Sequence, residues 1–168
     1  YGRSRGLGDV YKRQNFRKLI IGTNENNILD RTLKTGEHAV RDVISTSSPS
    51  IDIQISSNFE RLIYDACKDS NFVSELMDNL KNKSSYILSH EIREYIGSYF
   101  SSDTANKKEV EEIISSYFKT HNIILDPHTA VGVACGKKQK LSEDILVTLS
   151  TAHPAKFKET VSEIISDN

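Results

Sequence analysis

The sequence lacks the features that mark membrane proteins and nucleic-acid-binding proteins. Its 168 residues contain no apolar run close to the roughly 18 residues that a membrane-spanning helix needs. Basic residues number 22 and acidic residues 23, a formal net charge of −1, so no excess charge favours nucleic acid or an anionic membrane as a partner. With 37% hydrophobic and 27% charged residues, the composition is that of an ordinary folded domain. We expect a cytoplasmic protein without a nucleic-acid or membrane partner.

Cysteine is scarce, and spacing alone predicts no reactive centre. The two cysteines, Cys67 and Cys135, lie far apart in the sequence and lack the short spacing of metal ligands. We interpret both as reduced thiols, with Cys67 at a core position of a helix. Because no carboxylate pair, Ser-His-Asp order or metal-ligand cluster is evident, we predict no metal site and no catalytic residue from spacing.

The first fourteen residues differ from the rest of the chain. Residues 1–14 contain three glycines, four basic residues and one acidic residue, without apolar periodicity. Gly6 and Gly8 do not form a phosphate loop in this pattern, because such a loop needs a preceding strand and a following helix. The string resembles translated adapter sequence, so we interpret it as non-native; a genuine flexible arm is the alternative. Residues 15–168 then carry the fold, and an upstream portion would be missing.

Two apolar runs predict buried parallel strands. Lys18–Thr23 is followed by Asn24, and Ile145–Leu149 is followed by Ser150 and Thr151. Amphipathic helices are predicted between and after these runs, so strands alternate with helices and indicate an α/β fold. Ligands of such sheets bind at the carboxyl ends of the strands. The polar residues at these two strand ends are therefore candidate ligand contacts.

Helical spacing of apolar residues predicts most of the remaining structure. The predicted helices are one that follows Asn26 and stops near Gly36, Ser56–Cys67, Asn71–Lys81, a short helix within Tyr86–Phe100 between two extended pieces, and Asn106–Thr120. Asp126 and Pro127 form a strong helix start, an N-cap followed by proline at the first helical position. Pro154 opens the last predicted helix, and residues 45–50 form a Ser/Thr-rich loop.

Three sequence blocks resemble the threonine synthase family, in its long bacterial and fungal branch. They are Leu19–Leu29 (LIIGTNENNIL), Ser48–Leu62 (SPSIDIQISSNFERL), and the pair Leu125–Gly132 (LDPHTAVG) and Leu149–Phe157 (LSTAHPAKF). Their order and spacing resemble the C-terminal part of the family over residues 15–168. The resemblance implies the C-terminal portion of a tryptophan synthase beta-like (fold type II) enzyme, in which pyridoxal 5'-phosphate lies between two α/β domains.

The implied activity is that of a carbon–oxygen lyase acting on phosphates. Such an enzyme converts O-phospho-L-homoserine and water to L-threonine and phosphate. In the family, the Schiff-base lysine and the loop that holds the cofactor phosphate lie upstream of the part that resembles this chain, so we nominate no catalytic residue. We expect the chain alone to be inactive, to bind the cofactor weakly or not at all, and to expose apolar surface that its missing N-terminal part would cover.

Thr151 is the one residue to which the resemblance assigns cofactor binding. It matches the family's contact to the pyridine nitrogen, where a neutral hydroxyl donor leaves the ring nitrogen largely unprotonated and favours elimination and replacement over transamination. Ser150 is the fallback, because a one-residue error moves a side chain to the opposite face of a strand. Without the resemblance, Thr151 would be interpreted as a cap of the last helix.

Other polar residues have structural interpretations beside functional ones. Asn24 and Asn26 could approach a substrate or cap a helix. Arg61 could bind a phosphate group bidentately or form a salt bridge on a helix surface or between domains. His128 and His153 lie at helix starts beside proline, where a hydrogen-bonded structural histidine is the preferred interpretation. Asp126 is most simply a helix cap.

Three alternatives to a threonine synthase fragment remain at this stage. One is another pyridoxal-phosphate lyase of similar fold, acting on a different amino-acid ester. The second is a self-contained α/β binding or interaction module without catalysis, with the two polar strand ends lining its pocket. The third is a helical interaction scaffold, which the apolar strand patterns disfavour.

Overall fold

The computed structural model describes residues 16–143 and 145–166. The interpretation of residues 1–14 as a non-native segment lies outside the described residues. Within the described ranges, the helices are α1 (Ile28–Thr35), α2 (Ser57–Cys67), α3 (Ser70–Lys83), α4 (His90–Tyr99), α5 (Lys107–His121), α6 (Pro127–Gln139) and α7 (Lys158–Ser166). Short 3-10 turns span Pro49–Ile51 and Pro154–Phe157. The helices predicted from periodicity are confirmed, with their ends displaced by one or two residues. The last one, predicted to open at Pro154, begins with the 3-10 turn and is α-helical only from Lys158.

Four short strands form two pairs. β1 (Leu19–Thr23) runs parallel to β4 (Phe100–Thr104), so Thr23 lies opposite Thr104 at the carboxyl end of both strands. β2 (Glu37–Ala39) runs antiparallel to β3 (Ser85–Ile87). The predicted strand at Lys18–Thr23 is confirmed. So is the predicted α/β class, since helices connect and cover the parallel pair.

Strand β1 lies between two apolar clusters. Successive side chains of a strand point to opposite faces, and accordingly Leu19 and Ile21 pack on one cluster while Ile20 packs on the other. Helices α2, α3 and α4 build the first cluster, with Phe59, Ile63, Leu76 and Ile96 among its buried residues. Helices α5, α6 and α7 build the second, with Ile114, Val131, Cys135 and Ile164 buried. The chain therefore has a helix–sheet–helix order.

Both cysteines are free thiols, as predicted. Cys67 is half-buried at the end of α2, and Cys135 on α6 is fully buried against β1. Burial raises the pKa of the Cys135 thiol to about 11, so this cysteine stays protonated and is a packing residue. None of the helices in the described ranges is long and apolar enough to span a membrane.

The prediction of a buried strand at Ile145–Leu149 is wrong for this chain. None of the described strands pairs with this segment, and Ile145, Val147 and Leu149 are 91%, 70% and 71% exposed. The alternate side chains, Leu146 and Thr148, contact α6 and are half-buried. The alternation expected of a strand is therefore present. Pairing and burial are not, because they require a neighbouring strand and a covering layer.

Candidate functional site

The candidate site is built from the carboxyl end of the β1–β4 pair outward. Thr23 closes β1, and its hydroxyl donates to the carbonyl of Asp103 at 3.1 Å and lies 3.1 Å from the hydroxyl of Thr104. Asn24 and Asn26 follow directly, and both are almost fully buried. The Asn24 carboxamide oxygen accepts the backbone N–H of Asn26 at 2.9 Å, which turns the chain sharply at the strand end.

Asn24 and Asn26 hold a loop, residues 44–52, against this strand end. The Asn24 amide donates to the Ser48 hydroxyl at 2.9 Å and to the Asp52 carboxylate at 2.6 Å. Asn26 exchanges two hydrogen bonds with the backbone of Ile44, at 2.7 and 2.8 Å. The interpretation of these asparagines as helix caps is wrong, because the N-cap of α1 is Asn27 and no side chain caps that helix.

The carboxylate of Asp52 organises the same loop from its other end. It accepts hydrogen bonds from the backbone N–H and the hydroxyl of Thr46, at 2.8 and 2.6 Å, as well as from Asn24 and Asn26. A cleft of 530 Å³ opens beside residues 44–48 and is bounded on its far side by α5 and α7. The loop is thus a fixed wall of polar groups at the carboxyl end of β1.

His128 connects this loop to the start of α6. The backbone N–H of Ser50 donates to His128 Nε2 at 3.0 Å, and His128 Nδ1 lies 3.0 Å from the Asp126 carboxylate. Since Nε2 accepts a hydrogen bond, the ring proton lies on Nδ1 and is donated to Asp126. The imidazole is 7% exposed and packs on the ring of Phe157. The interpretation of His128 as a hydrogen-bonded structural histidine is confirmed.

Asp126 is the anchor of this corner and the N-cap of α6, as predicted. Its carboxylate accepts the backbone N–H groups of His128 and Thr129 at 3.0 and 3.3 Å, together with the Thr129 hydroxyl. Burial opposes its ionisation, but hydrogen bonds from Thr129 and His128 outweigh burial and hold the pKa of Asp126 below its ordinary value. A fully ionised carboxylate therefore sits at this helix start, where the helix dipole also favours negative charge.

Thr151 lies next to this anchor and its side chain is exposed. Its backbone N–H donates to the Thr129 hydroxyl at 3.2 Å, and its own hydroxyl lies 3.5 Å from the same oxygen. The interpretation of Thr151 as a cap of the last helix is wrong, because His153 is the cap and its Nδ1 accepts from the N–H of Ala155 at 3.2 Å. The cofactor contact assigned to Thr151, with Ser150 as the fallback, remains a prediction.

Hydrogen bonds, continued by the backbone from Ser48 to Ser50, therefore join the two predicted polar strand ends. They run from Asn24 to Ser48 in the 44–52 loop, and from Ser50 through His128, Asp126 and Thr129 to Thr151. Sequence reasoning missed the part of Thr129. The available signal was its position three residues after the cap Asp126, where a side chain lies close to the cap residue.

The block that contains Arg61 divides between the interior and the surface. Asp52 points inward to the loop, whereas Ser57, Asn58, Glu60 and Arg61 are exposed on the first turns of α2. Arg61 donates to the side chain of Asn58 one turn away. The guanidinium therefore lies on the helix surface, apart from the hydrogen-bonded chain that leads to Thr151.

The fold and this corner define a class: an α/β protein with a polar site at the carboxyl end of parallel strands, next to an uncovered apolar segment. A family profile described as "Threonine synthase, C-terminal" matches residues 129–168. Threonine synthase of Saccharomyces cerevisiae is 38% identical over 169 aligned positions, and the alignment covers 89% of this chain and 33% of that protein. Threonine synthase of Pseudomonas aeruginosa is 36% identical, over 87% of this chain and 32% of that protein.

Comparison with solved structures gives the same family as the sequence comparison. The chain superimposes on pyridoxal-phosphate-bound threonine synthase from Brucella melitensis with a TM-score of 0.87 and 41% identity, over 94% of this chain and 34% of that one. Yeast threonine synthase gives a TM-score of 0.87 and 34% identity, over 97% and 36%. The chain belongs to the threonine synthase family and matches its C-terminal part, as predicted. It spans about a third of the length of the relatives it matches.

Proposed function

We propose that this chain is the C-terminal part of a cytoplasmic threonine synthase. The complete protein is a carbon–oxygen lyase that uses pyridoxal 5'-phosphate to convert O-phospho-L-homoserine and water to L-threonine and phosphate. The proposal is supported by relatives named threonine synthase that align over 89% of the chain. Because the chain covers only a third of their length, most of the active site would come from the rest of the protein.

The observation that carries the proposal is the exposed hydroxyl of Thr151. Its neighbour Thr129 gives its own proton to Asp126, so Thr151 receives no proton from that side and can donate its own. The pyridine nitrogen of the cofactor is an acceptor, and a hydroxyl donor suits it without adding a charge. The donor chemistry of this chain therefore fits the group. When bound, the cofactor supplies the electron-withdrawing ring that makes elimination and replacement possible.

The residues around Thr151 would hold the ring and limit the site. The 44–52 loop, fixed by Asn24 and Asn26, forms a polar wall connected to Thr151 through His128. Three lysines of this chain have contacts away from Thr151. Lys18 donates to the carbonyls of Gly97 and Ser98, Lys34 pairs with Asp30 at 2.9 Å, and Lys137 lies over the ring of Tyr117. From the family resemblance we expect the lysine that binds the cofactor in the upstream part of the protein.

The exposed face of residues 145–149 supports a partner within the same protein. Ile145, Val147 and Leu149 expose most of their side chains on one side of the segment, while the other side rests on α6. Three adjacent apolar side chains in an extended segment are typical of a strand that another strand and a further layer cover. We infer that the N-terminal part of the protein provides both.

Complementation tests the proposal directly. The complete reading frame should restore growth of a threonine auxotroph without added threonine, whereas this chain alone should not. Growth with the complete frame but not with its Thr151→Val variant, at equal protein level, would support the cofactor contact. Failure of the complete frame would remove the proposed activity.

Cofactor binding by the purified chain gives a second, independent test. Pyridoxal phosphate should bind weakly or not at all, because only one of its contacts is present. A stoichiometric cofactor absorbance that survives gel filtration of the chain alone would contradict the proposal that the anchor lies upstream. Matched spectra of the complete protein provide the control.

A further inference from the structure

We propose that Thr129 is a positioning residue for Thr151, fixing its backbone in place and leaving its hydroxyl proton free to be donated to a ligand. The inference rests on the proposed function, because it concerns the hydroxyl assigned to the cofactor ring. Thr129 itself is 5% exposed, and its hydroxyl proton is donated to Asp126.

The direction follows from counting protons. A threonine hydroxyl has one proton and two lone pairs. The proton of Thr129 is donated to the Asp126 carboxylate, so only lone pairs face Thr151. These lone pairs accept the backbone N–H of Thr151 at 3.2 Å and lie 3.5 Å from its hydroxyl oxygen. Thr151 can therefore donate toward Thr129 or toward a ligand, but it cannot be used as an acceptor by Thr129.

The ionised state of Asp126 locks this arrangement. A protonated carboxyl would compete for the acceptor sites of Thr129 and could reverse the hydroxyl. Asp126 is 1% exposed, caps α6 and also accepts from His128. Hydrogen bonds to charged groups are shorter and stronger than neutral ones. These hydrogen bonds hold the carboxylate in place, and it accepts the hydroxyl proton of Thr129.

Placement of Thr151 depends on the same oxygen. The segment before Thr151 exposes Ile145, Val147 and Leu149, and the segment after it enters the Pro154–Phe157 turn through His153. Its hydrogen bond to Thr129 ties the Thr151 backbone to the first turn of α6, a rigid element. A weak 3.5 Å contact between the hydroxyls leaves the Thr151 side chain able to turn to a better acceptor while its backbone stays fixed.

A double-mutant cycle in the complete protein tests the inference. The variants are Thr129→Val, Thr151→Val and the pair together, with Thr129→Ser as the matched control that keeps the hydroxyl. The measurements are the rate of pyridoxal-phosphate release on dilution and the absorbance spectrum of the bound cofactor. We expect T129V to speed release roughly twofold to tenfold, the range for one lost hydrogen bond, and to shift the spectrum in the same direction as T151V. T129S should match the parent.

The coupling between the two substitutions distinguishes a positioning role of Thr129 from a packing role. If Thr129 acts through Thr151, the double variant releases the cofactor no faster than T151V alone, since interacting residues are non-additive. Effects that multiply, or a T129S variant as impaired as T129V, would overturn the inference. A T151V variant with unchanged release and spectrum would instead contradict the proposed cofactor contact, which is a distinguishable result. Thr129→Ala replaces T129V in the cycle if the valine variant does not fold.

Discussion

Strand β1 and the segment Ile145–Leu149 have similar apolar sequences but differ in strand pairing and burial. Both are short apolar runs followed by small polar residues, and both were predicted to be buried parallel strands. β1 pairs with β4 and is covered on both faces. Residues 145–149 rest on α6 with one face and expose the other. An apolar run therefore encodes an extended segment, but its pairing and burial are properties of the surroundings.

The contact with α6 shows how the second run is held without a partner strand. Gly132 and Gly136 lie one turn apart on α6 and leave space for Thr148 and Leu146. A Cβ atom at Gly136 would lie 2.7 Å from Leu146 Cδ1. The two glycines thus leave a groove on α6 into which the alternate side chains Leu146 and Thr148 pack. Buried and exposed side chains alternate along the segment because the described residues of this chain contact its inner face and leave its outer face uncovered.

Matched truncations of the two runs should give the largest contrast. Ile20→Ala removes packing from the cluster between α5, α6 and α7, and we expect it to lower the free energy of unfolding by about 2 kcal/mol. Val147→Ala shortens a side chain that already faces solvent, and we expect it to change the free energy of unfolding by less than about 0.5 kcal/mol. Urea unfolding of the purified chain measures both. Equal losses would mean that residues 145–149 are covered in solution, by a second copy or by rearrangement.

Acid should destabilise the packed part of the molecule through His38. This side chain is 1% exposed and stacks on Tyr86 with ring centroids 4.6 Å apart. Thr32 gives its proton to the carbonyl of Ile28, so His38 Nδ1 carries the proton that it donates to Thr32 at 3.0 Å. Burial, and secondarily the positive charge of Arg31, lowers the pKa of His38 from 6.5 to about 4.

The sign of the pH effect follows from this shift. The unfolded chain binds a proton at His38 below about pH 6.5, while the folded chain resists binding it until about pH 4. The contribution to stability is therefore complete above pH 6.5 and is lost as the pH falls toward 4. Thermal unfolding across this range should show the decline, and His38→Gln should flatten it. Proteolysis after Ile145, Val147 and Leu149 should not follow it, because these side chains are already exposed.

Local patterns in the sequence predicted most of the helices but few of the contacts in the candidate site. Apolar periodicity located the helices, Gly36 ended α1 in the left-handed conformation at φ 87°, and Asp126 with Pro127 began α6. The connections of the site are tertiary. Thr129 and Thr151 lie 22 residues apart, and Ser50 and His128 lie 78 apart, so no spacing rule brings them together. The role of the buried amide of Asn24 was missed for the same reason.

Two glycine substitutions should produce the smallest and most specific contrast. Replacing a helical glycine by alanine usually stabilises a helix by roughly 0.5–1 kcal/mol, and Gly97 on α4 has nothing within 4 Å of a new Cβ atom. Gly97→Ala should show that gain. At Gly136 the new methyl group meets Leu146, so Gly136→Ala should gain less and should push the segment off α6. Limited proteolysis should then cut residues 141–150 of G136A faster than those of G97A. Equal cleavage rates would mean that Leu146 does not pack on Gly136 in solution. Residues 145–149 would then differ from β1 in lacking packing contacts on both faces.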